Sequence, residues 1–387
     1  MTYIEFFDIN AVENICSCLV SAPDRVILIG DNKKILQLHA QRYHSLFQKR
    51  GMNIEFIYKT VNKNNLNSIV ELLSEIVEKY EDCVFDLSGG EDLMLVAVGI
   101  ICYRYRDKDI QLSRINLRTG VLYDCDEDGV FIPTEHYPML TVDENIRIFG
   151  GKVVYEDERE GATRRWDFND GFMQDIAAMW QICRKNVGDW NAQMDTFAAT
   201  DIVSPSRIVS DLIKKGLIKG EKQENGCLKI NYKNDQIKQC LTKAGQALEM
   251  YITMKAMQAT DKDGDLIYND VCNGVFIDWD GVIHREDGES DTENEIDVMM
   301  MHGMIPVFVS CKNGVVTMDE LYKLDTVASR FGGKYAKKVL VANALGDTAF
   351  AAHFRQRAKD MRIKLIENVQ NMKEKEIDKA IGLLWCT

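Results

Sequence analysis

Residues 294–313 read NEIDVMMMHGMIPVFVSCKN. Two apolar runs, 294–301 and 306–312, flank His302-Gly303, and their alternation predicts two strands joined by a tight turn. Strand alternation puts Glu295 and Asp297 on one face. In the second strand Phe308, Ser310 and Lys312 share a face, and Val307, Val309 and Cys311 share the other. If the strands pair, Asp297 and Lys312 converge. A carboxylate so placed binds a divalent metal that stabilises a phosphorane-like charge. A lysine beside it orients or helps to deprotonate the attacking water and offsets negative charge. Oxygen ligands suit Mg²⁺ or Mn²⁺. The same pair also reads as a solvated salt bridge across a hairpin.

Outward from this hairpin, residues 246–257 predict a helix carrying Glu249 and residues 275–280 a strand. Residues 318–331 form a second helix, 339–343 a strand, 348–359 a helix and 364–366 a short last strand. This order resembles the PD-(D/E)XK nuclease superfamily. The resemblance makes Asp297 the central metal ligand, Lys312 the catalytic lysine and Glu249 the helix-borne acid. Where that motif has an acid two residues before the lysine, Ser310 stands here. The implied metal set is then Asp297, the Cys311 carbonyl and Glu295 or a water. Lys323, Arg330 and Lys334 follow the site in sequence and read either as contacts to a phosphate backbone or as a solvated basic helix face.

The first third of the chain has a different rhythm. Residues 26–30, 53–58 and 83–87 are strand-like, and helical spacing fills 35–49, 66–80 and 91–105. Further strands are expected at 110–116 and 120–124. This alternation predicts an open, doubly wound α/β sheet whose ligands bind beyond the carboxyl ends of the strands. Two loops belong there, Gly30-Asp31-Asn32-Lys33 and Asp86-Leu87-Ser88-Gly89-Gly90-Glu91-Asp92. The second leads into a helix, so Ser88 and the N–H groups of Gly89 and Gly90 can hold an anion; it also reads as an ordinary tight turn. No G-x-G-x-x-G follows a strand, which disfavours a nicotinamide-dinucleotide site.

The D-L-S-G-G-x-x-L-M pattern of residues 86–94 resembles a signature of CARF domains, the Rossmann-like sensors of cyclic oligoadenylates made by type III CRISPR complexes. The resemblance implies contacts from Gly30, Asp31, Asn32, Lys33, Ser88, Gly89, Gly90 and Glu91, cyclic tetra-adenylate as activator, and a homodimer enclosing the ring. Glu91 and Asp92 replace the usual basic residue after Gly-Gly, so Lys33, Lys34 or backbone N–H groups must meet the phosphates. With both ends matched, the chain resembles CRISPR ancillary nucleases that carry an N-terminal CARF domain.

The expected architecture is α/β: a Rossmann-like sensor over 1–150, a winged-helix-like connector over 151–243, and a restriction-endonuclease-like nuclease domain over 244–387. In the connector, helices are expected at 171–183 and 190–200. Another begins at Ser204-Pro205-Ser206 with Pro at its first position and runs through 208–215; a strand follows at 226–232. Such a unit reads DNA or serves as a rigid spacer. The function expected is a metal-dependent endonuclease acting on DNA and/or RNA and switched on by cyclic oligoadenylate. The alternative is an inactive sensor that regulates transcription.

Bulk properties agree. The 387 residues suit two or three domains. No apolar run approaches the ~20 residues that span a bilayer, and the first residues lack a signal peptide's basic segment, so a cytoplasmic protein without membrane contact is expected. Eleven scattered cysteines read as free thiols. A net charge of −13 excludes a protein that coats nucleic acid by bulk charge. Acids crowd 124–128, 156–160 and 278–297, whereas basic residues outnumber acids over 312–379. A polyanion would meet the last third.

Overall fold

The structure, a computed structural model, describes residues 1–116, 119–126, 128–134, 138–282 and 293–386. Part of the acidic run at 278–297 and Glu127 of the run at 124–128 lie outside the described residues. The N-terminal sheet contains β1 (Thr2–Phe6), β2 (Arg25–Gly30), β3 (Glu55–Thr60), β4 (Cys83–Asp86), β5 (Ile110–Asn116), β6 (Val121–Cys125) and β7 (Phe131–Pro133). Its order is β3-β2-β1-β4-β5-β6-β7, parallel from β3 to β5 and antiparallel beyond. This is the expected doubly wound arrangement with two strands more, because β1 and the short edge strand β7 were not foreseen. Glu5 interrupts the apolar run of β1, yet β1 is the central strand and all five of its residues are buried. The loop after β1 therefore sits between the loops that follow β2 and β4.

Lys152–Val153 forms β8, just past the expected boundary at 150, and it pairs with the C-terminal sheet although the connector was expected there. The connector then builds a small sheet from β9 (Ile202–Val203), β10 (Ile218–Lys222) and β11 (Leu228–Tyr232), ordered β10-β11-β9. Its helix spans Arg207–Lys214, and Ser206 caps it by accepting from Val209 N at 3.1 Å. The helix thus starts after Pro205, because Ser206 satisfies the free N–H that a helix start needs. β10 was missed because only Ile218 of its five residues is buried.

The third sheet contains β12 (Asp270–Asp278), β13 (Glu293–His302), β14 (Ile305–Lys312), β15 (Lys337–Ala342) and β16 (Ile363–Ile366), ordered β16-β15-β14-β13-β12-β8. Helices Gln246–Met257 and Met318–Phe331 lie where the sequence put them. They take opposite faces. Phe308 and Met299 share an apolar cluster with Leu321, Leu324 and Phe331, while Val307, Val309 and Cys311 share another with Leu248 and Tyr251. The first cluster continues into the N-terminal sheet through Tyr3, Val26 and Leu28, and the second into the connector through Trp180, stacked on Tyr251 at 5.2 Å. All eleven cysteines are free thiols. Among the described residues no helix is long and apolar enough to cross a membrane.

Candidate active site and sensor face

The pairing of β13 with β14 runs from His302↔Ile305 only as far as Val298↔Val309. Beyond that point Asp297 inserts its carboxylate where a ladder bond would continue. Its Oδ2 accepts from Cys311 N at 2.6 Å, from Ser310 Oγ at 3.1 Å and from Lys312 Nζ at 3.5 Å. Lys312 Nζ also lies 3.1 Å from Glu320 of the helix Met318–Phe331. On the other side, Asn273 of β12 donates to the Asp297 carbonyl and to Thr253, and Gln246 donates to Asn273, so the helix Gln246–Met257 is tied to the site through β12. The connector holds it as well: Asn191 donates to the Asn313 carbonyl at 2.6 Å, one residue past Lys312.

Glu249 is 6 % exposed, and its Oε2 has no hydrogen-bond partner. Gly245 leaves it room, since a Cβ there would lie 2.8 Å from Glu249 Oε1. Burial, reinforced by the nearby Asp297 charge, pushes the Glu249 carboxyl up to about 8. Burial also raises Asp297, against the pull of Lys312 and the Cys311 N–H. For Lys312 burial alone would lower the ammonium, but Asp297 and Glu320 outweigh it and hold it above its ordinary value. Lys312 is therefore a firm cation at neutral pH. Of its two expected roles it suits charge stabilisation and orientation, not proton removal.

Among the described residues no three His, Cys, Asp or Glu side chains cluster closely enough to hold a metal ion by themselves. The donors that remain still suit a hydrated Mg²⁺ or Mn²⁺, which commonly uses one or two carboxylates and completes its shell with water. Asp297 and the unpartnered Glu249 oxygen lie in mutual electrostatic reach, and Glu295 acts on both. Cys311 offers only its carbonyl, because burial holds its thiol well above the ordinary range, in the protonated form. Glu295, expected as a ligand, lines the same cleft and pairs with Lys243 at 2.9 Å. Ser310 spends its hydroxyl on Asp297. A cleft of about 300 Å³ opens here, lined by Asp297, Ser310, Lys312, Glu320 and Lys323.

Lys323 thus reaches the cleft, but Arg330 and Lys334 do not line it. Arg330 donates to the Phe149 carbonyl at 2.8 Å, and Lys334 lies 4.0 Å from Glu13, both at the seam with the N-terminal sheet. Sequence reasoning missed Lys243 and Glu320, whose partners are remote in the chain. Glu320 alone left a trace, as an acid in the first turn of the helix that follows the site.

At the N-terminal sheet the two expected loops do lie side by side, beyond β2 and β4. Lys63, not singled out in the sequence, joins them: its Nζ is 2.7 Å from Glu91 and 3.4 Å from Asp31. Asn32 caps the helix Lys33–Lys49, and Lys33 is exposed at its start. The Ser88 hydroxyl accepts from Ile115 N at 2.7 Å, and the Ser88 N–H donates to Asp86. Gly30, Gly89 and Gly90 serve close packing: a Cβ would lie 2.9 Å from Leu36, 2.7 Å from the Phe6 carbonyl and 2.7 Å from Phe6 Cβ respectively. Gly90 also has φ +92°, which a side chain strains to adopt. Glu91 precedes the helix Asp92–Arg104 without capping it through its side chain. Between the loops Asn10, 6 % exposed, keeps both side-chain amide atoms without a partner.

The arrangement of three sheets recurs in solved structures. Protein VC1899 from Vibrio cholerae is similar over 99 % of this chain and 97 % of that one, with TM-score 0.77 and 19 % identity. Can2 from Sulfobacillus thermosulfidooxidans, solved in complex with cyclic tetra-adenylate, matches over 100 % and 97 %, with TM-score 0.70 and 18 % identity. The chain has their fold. A type III CRISPR defence DNA nuclease activated by cyclic oligoadenylate matches over 89 % of this chain and 46 % of its own length, with TM-score 0.52 and 13 % identity. At these identities the likeness establishes architecture. No family model matches the sequence, and no curated protein matches it.

Proposed function

We propose that the chain is a metal-dependent endonuclease of type III CRISPR defence, hydrolysing phosphodiester bonds of DNA and/or RNA when a cyclic oligoadenylate occupies its N-terminal sensor. The observation that carries this reading is Asp297 seated in the break between β13 and β14, with Lys312 beside it and the unpartnered Glu249 behind. Asp297, the Cys311 carbonyl and Glu249 would hold the ion. When bound, the metal supplies Lewis-acid stabilisation and a water of lowered pKa. Lys312 places a fixed positive charge where negative charge develops on the phosphoryl oxygens. Glu320 aims that ammonium, and the Cys311 N–H and Ser310 Oγ fix the orientation of Asp297. Lys323 on the cleft wall attracts the substrate backbone.

The sensor would meet its anionic ring with Lys33, Lys34, the N-terminal N–H groups of the helix Asp92–Arg104 and the Asn10 amide. A homodimer is part of the reading. Leu95, Val96 and Tyr103 of that helix are 38 %, 50 % and 78 % exposed, an apolar face that a second copy would cover. The domain division at about 150 and 243 and a cytoplasmic location belong to the same reading. Its expected support is the likeness to the structure solved with cyclic tetra-adenylate.

A second reading, a non-catalytic sensor that regulates transcription, is favoured by Ser310 in the place of an acid and by the winged connector. One experiment separates the two. Supercoiled plasmid, single-stranded DNA and RNA are incubated with Mn²⁺ or Mg²⁺, with and without cyclic tetra-adenylate, beside Lys312→Ala. Cleavage that needs both metal and ring and is lost in the variant is expected. Ring binding or DNA binding without cleavage, unchanged in the variant, would leave the regulator.

A further inference from the structure

The amino ends of the parallel strands β14, β15 and β16 meet at a pocket of about 910 Å³, at the opposite edge of the sheet from Lys312. Seven residue steps separate Ile305, in its wall, from Lys312, roughly 23 Å at the usual strand rise. The two sites therefore cannot hold the same phosphate. Six cations line the pocket: Lys334, Lys337, Lys338, Lys359, Arg362 and Lys364. No carboxylate belongs to its described lining. In a chain of net charge −13, six cations are concentrated in one concavity.

The cations differ in their commitments. Lys338 is spoken for, pairing with Asp325 at 2.5 Å and donating to the Met361 carbonyl at 2.6 Å. Lys359, Arg362 and Lys364 form no ion pair with a described residue, although they come from the end of one helix and the start of the next strand. Arg362 holds φ +54°, a left-handed turn residue that aims this short connection. Burial lowers the Lys364 ammonium, which no carboxylate offsets. Such charges sit together without counter-charge at a cost, and a polyanion would relieve it. Tyr335 of its wall also borders a recess of about 280 Å³ lined by Arg114 and Tyr123 of the N-terminal sheet. A concave basic track with aromatic rings along it suits a strand whose backbone and bases are both accessible.

We propose that this pocket docks the phosphodiester backbone of a single nucleic-acid strand, separately from the catalytic cleft. That the polyanion is a nucleic acid rests on the reading of the C-terminal domain as acting on one. A pocket of about 910 Å³ lined by six cations is larger than one phosphate group needs.

The test is fluorescence anisotropy of the full chain with labelled 20-nucleotide single strands of DNA and RNA, in chelator so that nothing is cleaved, over a salt series. The variants are Lys359→Gln/Lys364→Gln and, at an exposed position, Lys359→Gln alone. The double variant is expected to bind about tenfold more weakly, with a salt dependence shallower by about 1.4, the share of two phosphate contacts. Unchanged affinity and slope would overturn the site. Equal binding of a duplex, or full competition by inorganic triphosphate at equal charge concentration, would overturn the single-strand form. Cleavage by the wild type together with unaltered binding in the variants sinks the pocket and leaves the nuclease reading standing. No strand binding by the wild type at low salt sinks both.

Discussion

At its carboxyl end β14 presents Lys312 between two carboxylates, Asp297 and Glu320; at its amino end the same strand borders a pocket whose Lys359, Arg362 and Lys364 form no ion pair with a described residue. The two ends hold positive charge for different purposes. A cation fixed between acids is oriented, keeps its proton and cannot wander, as a group that must act at one atom requires. Cations without partners are expensive to gather but ready to exchange water for phosphate. Pairing thus marks where chemistry is aimed, and its absence marks where a ligand supplies the missing charge.

Lys312→Ala is the hardest blow to this contrast. Cleavage under metal and ring should fall by at least ~100-fold, the usual scale for losing one charge-stabilising donor, with the melting curve preserved. Retained turnover would show that the carboxyl end does no chemistry. Ser310→Glu should sharpen it: a third acid beside Asp297 should lower the metal concentration for half-maximal cleavage by about tenfold, worth about 1.4 kcal/mol. A loss of activity would count against Ser310 standing at a ligand position.

Glu249→Gln addresses the buried acid. Burial pushes the folded carboxyl up to about 8 against its ordinary 4.5, so between these values the folded state holds a proton that the unfolded chain releases. Its contribution to stability is present below about pH 4.5 and is lost as pH rises through about 8. In metal-free buffer the wild type should therefore lose up to about 1.4 kcal/mol per pH unit across that window, and the variant should show a flatter profile in chemical denaturation. Parallel profiles would refute the assignment. The smallest effect tests the amino end: Lys338→Ala should cost about 1–2 kcal/mol through its pair with Asp325, whereas Lys359→Gln should stay within about 0.5 kcal/mol.

The Lys312 end was legible because strand alternation brings Asp297 and Lys312 to one face, and because the helix Met318–Phe331 carries an apolar stripe while Gln246–Met257 is apolar nearly all round. Alternation does not disclose that pairing stops at Val298↔Val309, which is what frees Asp297 to accept from Cys311. Strand β1 stayed hidden because Glu5 looks like a surface residue; it is fully buried instead, with the Cys18 thiol donating to it at 3.3 Å. Lys243, Lys63 and the pocket cations depend on which chain ends meet in space, which no local spacing records. Arg330 and Lys334 were drawn toward the cleft by proximity in sequence, while the helix Met318–Phe331 carries its far end to the seam with the N-terminal sheet.

That seam has a mechanical meaning. One apolar cluster runs from Tyr3 and Leu28 of the first sheet through Ile146 to Phe308 and Phe331 of the third, and buried Asn145 ties it further by donating to the Phe331 carbonyl at 2.7 Å. A chain built this way has no internal hinge at the boundary, so it should melt as one calorimetric unit, and a sensor cut off at residue 150 would leave its half of the cluster wet. Under the proposed function, a signal from the N-terminal sheet to the Lys312 cleft would pass through a continuous body, with the molecule acting as a lever and not as a joint.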